Sequence, residues 1–438
     1  MAELQELRVA HLSGEYEGRR IENASFQVPA GGRLVLLGPA GAGKTALLAL
    51  IAGLPSAWGT GEVRVGGQRV DGRPAWQRRI ALIPADYALW PHRSVQEQIR
   101  FGLARPLPRP TGEPSLAERS GEAAALWQRW LLQLDLEPLL NRYPSELQPD
   151  ERLRVALARA MLAQPVALLL DDPLARWRQE PPRVWWQMVD RLQGWLASIE
   201  IPVVIATTNA QEAVRLGQRI LVVGSGRGHQ CGSPQELYFE PSSIWVAQYL
   251  SPWPLNVWPA TVSEELSPQP THLRLEDGGW ELPLSPAGQK AIAAWWEATG
   301  QKQRSVLVGL RAEDLAVSTD GSSAPSVWAT RVVQLEQWGW TTLLGVVPTA
   351  PASPAATPPA TSPPPAAERE GSPALAPAPP ANLAPAAAAP SPSTRRLWVL
   401  TSRDIQLLTG STCQITISPE RVLLFDPVTE QRLAPAPS

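Results

Sequence analysis

Eight consecutive residues could grip a phosphate: Gly38-Pro39-Ala40-Gly41-Ala42-Gly43-Lys44-Thr45. They fit the spacing G-x-x-x-x-G-K-[ST], in which glycines let backbone N–H groups turn inward around an anion. Each residue type then has its own task. Lys44 reaches the outer phosphates of a nucleoside triphosphate, and the Thr45 hydroxyl holds Mg²⁺. Downstream, Val166-Ala167-Leu168-Leu169-Leu170-Asp171-Asp172 is an apolar run that ends in two carboxylates. A carboxylate at the end of such a strand, beside such a loop, is placed to hold the nucleotide's magnesium, and this assigns Asp171. Alone, the pair would read as an acidic turn after a core strand. The glycine-rich loop upstream favours the metal.

Those groups need rigid elements behind them. Arg33-Leu34-Val35-Leu36-Leu37 reads as a buried strand, and Ala46–Ala52 as a helix closed by Gly53. The helix N-terminus turns the positive end of its dipole toward the loop. Residues 4–9 and 25–37 read as short strands flanking turns, with Pro29-Ala30-Gly31-Gly32 as a hairpin signal. Tyr16 falls in a polar loop, Ser13 to Gly18, where an aromatic ring could stack on adenine or simply fill surface. Ile80–Ile83 and Val203–Ala206 are two further buried strands, and Gly61–Gly67 is a strand and turn. Helical stretches run over Glu122–Leu134, Arg152–Ala163 and 183–199. In the second, Leu153, Leu157, Ala160 and Met161 share one face. Continuous apolar strands alternating with helices mean an α/β fold with a mainly parallel sheet.

Beyond residue 250 the texture changes. His272–Leu275, Ser305–Val308, Thr341–Val347 and Arg396–Leu400 read as strands of a small β-rich domain. Residues 348–394, dominated by Pro, Ala, Ser and Thr, interrupt it and read as an extended, disordered spacer. A role as an SH3-type ligand is the sharper alternative for that spacer.

The 438 residues leave room for two or three domains, each with its own core. A net charge of −2 gives no bulk attraction to nucleic acid or to an anionic membrane. Cys231 and Cys413 have no metal-binding spacing and suit a reducing compartment. No signal peptide is read at the N-terminus and no run is long enough to span a bilayer, so a cytoplasmic location is expected. The 19 tryptophans greatly outnumber the 4 phenylalanines and 5 tyrosines, for which the pattern offers no functional account.

With these residues in view, the chain resembles the ATP-binding cassette subunit of ABC transporters, of the maltose, oligosaccharide and glycerol-phosphate importer type. The resemblance spans nearly the whole length. It rests on Leu36 through Thr45, on Asp86-Tyr87-Ala88-Leu89-Trp90-Pro91-His92, and on Arg154 through Ala160. Leu168 through Leu174 and Gly232-Ser233-Pro234-Gln235-Glu236-Leu237-Tyr238 extend it. Gly309 through Asp314 and Leu424-Phe425-Asp426-Pro427 look like the family's C-terminal OB-type (TOBE) modules. The resemblance implies a P-loop NTPase cassette over 1–240, then a small β-rich OB-like domain in two parts, 241–347 and 395–438. It implies ATP and Mg²⁺ as ligands, with Tyr16 as the adenine-stacking aromatic. Integral-membrane permease subunits and a second cassette are the implied partners, at the inner face of the cell membrane, with no nucleic acid. Asp86 to His92 lies, in the family, near the groove where the permease docks.

The same comparison exposes departures. The family's Gln before Asp-Tyr-Ala-Leu is Ala85 here, and its signature Leu-Ser-Gly-Gly-Gln aligns with Leu147-Gln148-Pro149-Asp150-Glu151. Its catalytic Glu is Asp172, its D-loop Ser-Ala-Leu-Asp is Ala175-Arg176-Trp177-Arg178, and its switch His is Thr208. Asp is one methylene shorter than Glu, and a misplacement of about 1 Å can cost ~100-fold in rate. Ala85 cannot position water, and Thr208 cannot reach as an imidazole does. In the signature, Pro149 removes a donor, while Asp150 and Glu151 bring negative charge toward the partner's nucleotide. Two unit charges 4 Å apart repel by about 1 kcal/mol in water and roughly 4 kcal/mol at an effective dielectric near 20. Three functions compete on this reading. One is an importer subunit that binds Mg-ATP with slow or absent hydrolysis, which these departures favour. The others are an ordinary importer ATPase and a cytosolic regulatory protein built on the cassette.

Overall fold

A computed structural model describes residues 6–104, 120–262, 271–276, 280–300, 305–318, 327–338, 341–349, 395–402 and 407–433. The loop read over Arg105–Ser120 falls on 105–119, and the spacer reading on 350–394, both outside the described residues. The chain divides into two compact units, Met1–Pro241 and Ser242–Ser438.

The first unit begins with β1 (Leu7–Tyr16), β2 (Arg19–Val28), β3 (Arg33–Leu37) and α1 (Lys44–Ala52). Next come β4 (Trp58–Val65), β5 (Gln68–Arg69), α2 (Ala75–Arg78) and β6 (Ile80–Ile83). Then follow α3 (Val95–Ala104), α4 (Ser120–Gln133), α5 (Pro149–Leu162), β7 (Ala167–Asp171) and α6 (Pro182–Ala197). The unit closes with β8 (Val203–Thr207), α7 (Ala210–Leu216), β9 (Arg219–Gly224), β10 (Arg227–Gly232) and α8 (Pro234–Phe239).

These strands form one ten-stranded sheet in the order β5-β4-β1-β2-β10-β9-β3-β8-β7-β6. Its centre is parallel: β3 lies between β8 and β9, with β7 and β6 beyond β8. The apolar runs explain this, because both faces of a parallel strand are covered and neither face calls for polar residues. Leu34–Leu37, Leu168–Leu170 and Val203–Ala206 are buried throughout. α1 is covered almost all round, and Arg78 closes its C-terminal end. The Arg78 guanidinium donates to the carbonyls of Leu50 (2.7 Å) and Ile51 (3.0 Å), and also to Arg73 and Asp71.

Three sequence readings are corrected here. Pro29–Gly32 makes a turn, but β2 and β3 do not pair, because β9 and β10 lie between them in the sheet. Tyr16 ends a strand rather than sitting in a loop: β1 runs on past residue 9 and pairs with β2 as far as Tyr16↔Arg19. The helix read from Arg152 starts at Pro149, where proline's fixed φ suits a first helical position.

The second unit opens with α9 (Ile244–Leu250). Its strands are β11 (Leu255–Val262), β12 (His272–Leu275), β13 (Glu281–Pro283), β14 (Ser305–Arg311), β15 (Leu315–Ser318) and β16 (Val327–Trp338), then β17 (Thr341–Pro348), β18 (Leu397–Ser402), β19 (Thr412–Ile417) and β20 (Leu423–Phe425). A helix, α10 (Pro286–Thr299), sits between β13 and β14. Two five-stranded sheets result, β13-β12-β11-β14-β20 and β15-β19-β16-β17-β18, giving a β-rich, OB-like unit. Buried Asn256 joins them: its amide donates to Leu310 O (3.1 Å) and Trp398 O (2.9 Å) and accepts from Trp398 N (2.7 Å). Three of the tryptophans have a packing role here. Trp280 stacks on Trp328 at 4.8 Å and meets Trp258 at 5.6 Å, all within the core of this unit.

Candidate functional site

The loop between β3 and α1 has the geometry its residues require. Gly43 is the N-cap of α1 with φ 94°, and no side chain caps that helix. The first-turn N–H groups are thus left for an incoming anion. A methyl group on Gly38 would stand 1.9 Å from Val223 O, and one on Gly43 2.6 Å from Arg20 O. Neither position tolerates a side chain.

Lys44 is buried, and its Nζ donates back to the carbonyls of Gly38 (2.7 Å) and Pro39 (2.9 Å). Burial pulls its pKa down to about 8, with the nearby carboxylates of Asp172 and Asp171 opposing. The cation is therefore held inside the loop, ready for phosphate charge. The Asp171 carboxylate stands at the end of β7, where the neighbouring Thr45 hydroxyl favours its charged form. Burial raises Asp171 above the usual carboxylate range, and Asp172 adds to the rise, while the Thr45 hydrogen bond, Lys44 and Arg19 oppose it. The donor set fits Mg-ATP: a hydroxyl and one carboxylate side by side suit a magnesium that takes its other ligands from phosphate and water. Thr45 and Asp171 would hold the ion, Lys44 and the loop N–H groups the phosphates. The ion would supply neutralisation of phosphate charge. Tyr16, half-buried, ends the hairpin strand next to Arg19.

Asp172 is not free. It sits at φ 47°, a left-handed turn just beyond β7. A 3₁₀ turn, Ala175–Gln179, then brings Arg178 back over it. The guanidinium grips the carboxylate at both oxygens, Nη1 to Oδ2 at 3.1 Å and Nη2 to Oδ1. It also donates to Thr208 Oγ1 (2.9 Å), Thr207 Oγ1 (2.9 Å) and both oxygens of Glu212 (3.0 and 2.9 Å). Glu212 is 1% exposed and is held further by Trp185 Nε1 (3.0 Å) and the Thr207 hydroxyl (2.5 Å). Burial works against the Arg178 charge, yet the two carboxylates hold its pKa above the ordinary arginine value.

Elsewhere the degenerate positions are local. Ala85 is exposed on the loop after β6. Gln148 is the N-cap of α5, and Glu151 folds back to accept from the Gln148 N–H at 2.7 Å. Asp150 pairs with Arg154 (3.3 Å) and Arg191 (3.7 Å), and Arg142 lies 3.8 Å from Glu151. The charges at this helix start are therefore compensated within the chain, and they meet a helix N-terminus that favours them. The repulsion expected for bare charges is correspondingly reduced. Trp90, in the segment Asp86–His92, packs edge-on against Phe101 at 4.8 Å, with Arg159 over its ring at 5.0 Å.

Sequence reasoning missed Glu212, Trp185 and any role for Arg178. The one available signal was arginine at the position where the resembled family's D-loop carries aspartate.

The architecture and this loop define a P-loop cassette. The family model for ABC transporters matches residues 21–175. The chain is 32% identical over 315 residues to the sn-glycerol-3-phosphate import ATP-binding protein UgpC of Escherichia coli (strain K12), covering 72% of this chain and 80% of that protein. It is also 32% identical over 314 residues to the trehalose import ATP-binding protein SugC of Mycobacterium tuberculosis (strain CDC 1551 / Oshkosh), covering 71% and 73%. This chain belongs to the ATP-binding cassette family of ABC transporters. Among the described residues no helix is long and apolar enough to cross a membrane.

Proposed function

We propose that this chain is the nucleotide-binding subunit of an importer for a sugar, a glycerol phosphate or a related small solute, and that it binds Mg-ATP with slow or absent hydrolysis. The names of its relatives support the importer, and the Lys44, Thr45 and Asp171 arrangement supports the ligand. It would act at the inner face of the cell membrane with permease subunits and a second cassette, docking through the Asp86–His92 segment. One observation carries the slow hydrolysis: the carboxylate nearest to a catalytic base, Asp172, is held at both oxygens by Arg178. Ala85 and Thr208 cannot supply what a Gln and a His would, and Gln148-Pro149-Asp150-Glu151 starts a self-capped helix in place of a Gly-rich loop. As a homodimer each composite site would carry every defect; with an intact partner both would carry some.

The test is ATP turnover by the purified full chain beside its ATP affinity. Binding without turnover is expected. Hydrolysis at the ~1–10³ s⁻¹ common among enzymes would replace this reading with an ordinary importer ATPase. Co-purification with a membrane permease tests the transport assignment separately.

A further inference from the structure

Around Arg178 the chain builds a closed charge cluster from positions far apart in sequence. Asp172 lies beyond β7, Thr207 ends β8, Thr208 follows it, and Glu212 is in α7. Arg178 touches all four with its three donor nitrogens. Fork-to-fork pairing of arginine with a carboxylate is the geometry that arginine is shaped for, and a lysine cannot reproduce it. The partners are unequal. Glu212 is sealed in and keeps Trp185 and Thr207 as further donors, so it anchors the cation. Asp172 is more open, with a side chain 23% exposed, and its charge acts on Lys44 in the phosphate loop.

We infer that Arg178 is a resident counter-ion of the nucleotide site: by covering Asp172, it sets the charge that the site offers to a triphosphate. Without it, an uncompensated carboxylate would stand beside Asp171, and two acids would face an anion that already carries several negative charges. At short range in a partly buried site, that repulsion is large. The same cover keeps Asp172 from acting on water, so the inference deepens the slow-hydrolysis reading and rests on it for that second consequence. Lengthening the side chain, as in Asp172→Glu, leaves a carboxylate within the cluster and does not by itself release it.

The test compares Mg-ATP affinity in the wild type and four full-length variants. Arg178→Met is combined with Glu212→Gln, so that no sealed carboxylate is left without its cation; the cluster's net charge stays at −1 but now sits on the open Asp172 alone, and this pair should bind Mg-ATP at least tenfold more weakly than the wild type. Adding Asp172→Asn to the pair should restore affinity to within threefold. Arg178→Lys, which keeps the charge and loses the fork, should fall between. Thermal unfolding without nucleotide reports whether each variant is folded. Should the Arg178→Met pair fail to fold, the decision passes to Arg178→Lys with and without Asp172→Asn: weakened binding that Asp172→Asn restores supports the counter-ion, and any other pattern overturns it. Unchanged affinity on losing Arg178, or a loss that Asp172→Asn does not reverse, makes Arg178 a structural residue only. Wild-type turnover, measured on the same samples, decides the slow-hydrolysis reading separately. A fast wild type with the affinity pattern intact would sink that reading and leave the counter-ion. A slow wild type with flat affinities would do the reverse.

Discussion

Lys44 makes nucleotide affinity depend on pH in a range where most side chains do not titrate. Its pKa in the free site is about 8, because burial disfavours the ammonium more than Asp172 and Asp171 support it. A bound triphosphate adds strong negative charge and raises that value, so ATP binds the protonated form. The sign follows. Below about pH 8 the proton is already in place and affinity is flat; above it, binding must take up a proton and affinity falls by about tenfold per unit. At about pH 9.5 only ~3% of free sites carry the proton, which amounts to ~30-fold weaker binding, or about 2 kcal/mol. The phosphate's own proton is lost near pH 6, so it does not interfere in this window. Calorimetry in buffers of different ionisation enthalpy should record close to one proton taken up per ATP at the alkaline end, and little near neutrality. Lys44→Ala should abolish measurable binding throughout. An affinity that stays flat up to about pH 9.5, or Lys44→Ala binding as well as the wild type, would refute this reasoning.

Three further outcomes can be checked by standard means. Gly38→Ala places its methyl 1.9 Å from Val223 O, so nucleotide binding should be lost, or the protein should be found insoluble, as titration and solubility assays would record. Arg78→Ala strips hydrogen bonds from four carbonyls at the end of α1 and beside it; chemical denaturation should report a loss of about 2–4 kcal/mol, little of it recovered by Lys. Trp280→Ala opens a cavity in the stack with Trp328 and Trp258 and should cost about 3–5 kcal/mol in the second unit, read from its unfolding transition.

Legibility in the sequence followed how local the physics was. The phosphate loop is eight contiguous residues whose glycines, lysine and threonine each have one reason to be there, and the flanking strand and helix are apolar without interruption. The central strands were equally plain, since a strand covered on both faces needs no alternation. β1 was not plain. It has register irregularities between Val9 and Leu12 and again between Leu12 and Gly14, with His11 at φ 48°. Bulges of this kind shift the inward face by a residue, so the period-two pattern breaks where the strand continues. Tyr16 was misplaced for that reason. In the second unit β16 and β19 pair across some eighty positions, and no short-range signal announces such a partner.

The charged cluster marks the deeper limit. Read along the chain, Asp172, Arg178 and Thr208 are three separate departures from a family pattern, each counted as the loss of something. In space they are one arrangement. The left-handed turn at Asp172 and the 3₁₀ turn at Ala175–Gln179 bring the arginine to the carboxylate, and the β8 end supplies Thr207 and Thr208 to the same guanidinium. Restoring residues one by one would therefore mislead, because a glutamate put back at 172 inherits the arginine and a histidine put back at 208 loses the hydroxyl that arginine now uses. Energies of groups sharing one cation do not add. The unit to exchange is the cluster, with Arg178 as its centre. The change that frees Asp172 is thus made six residues away from it.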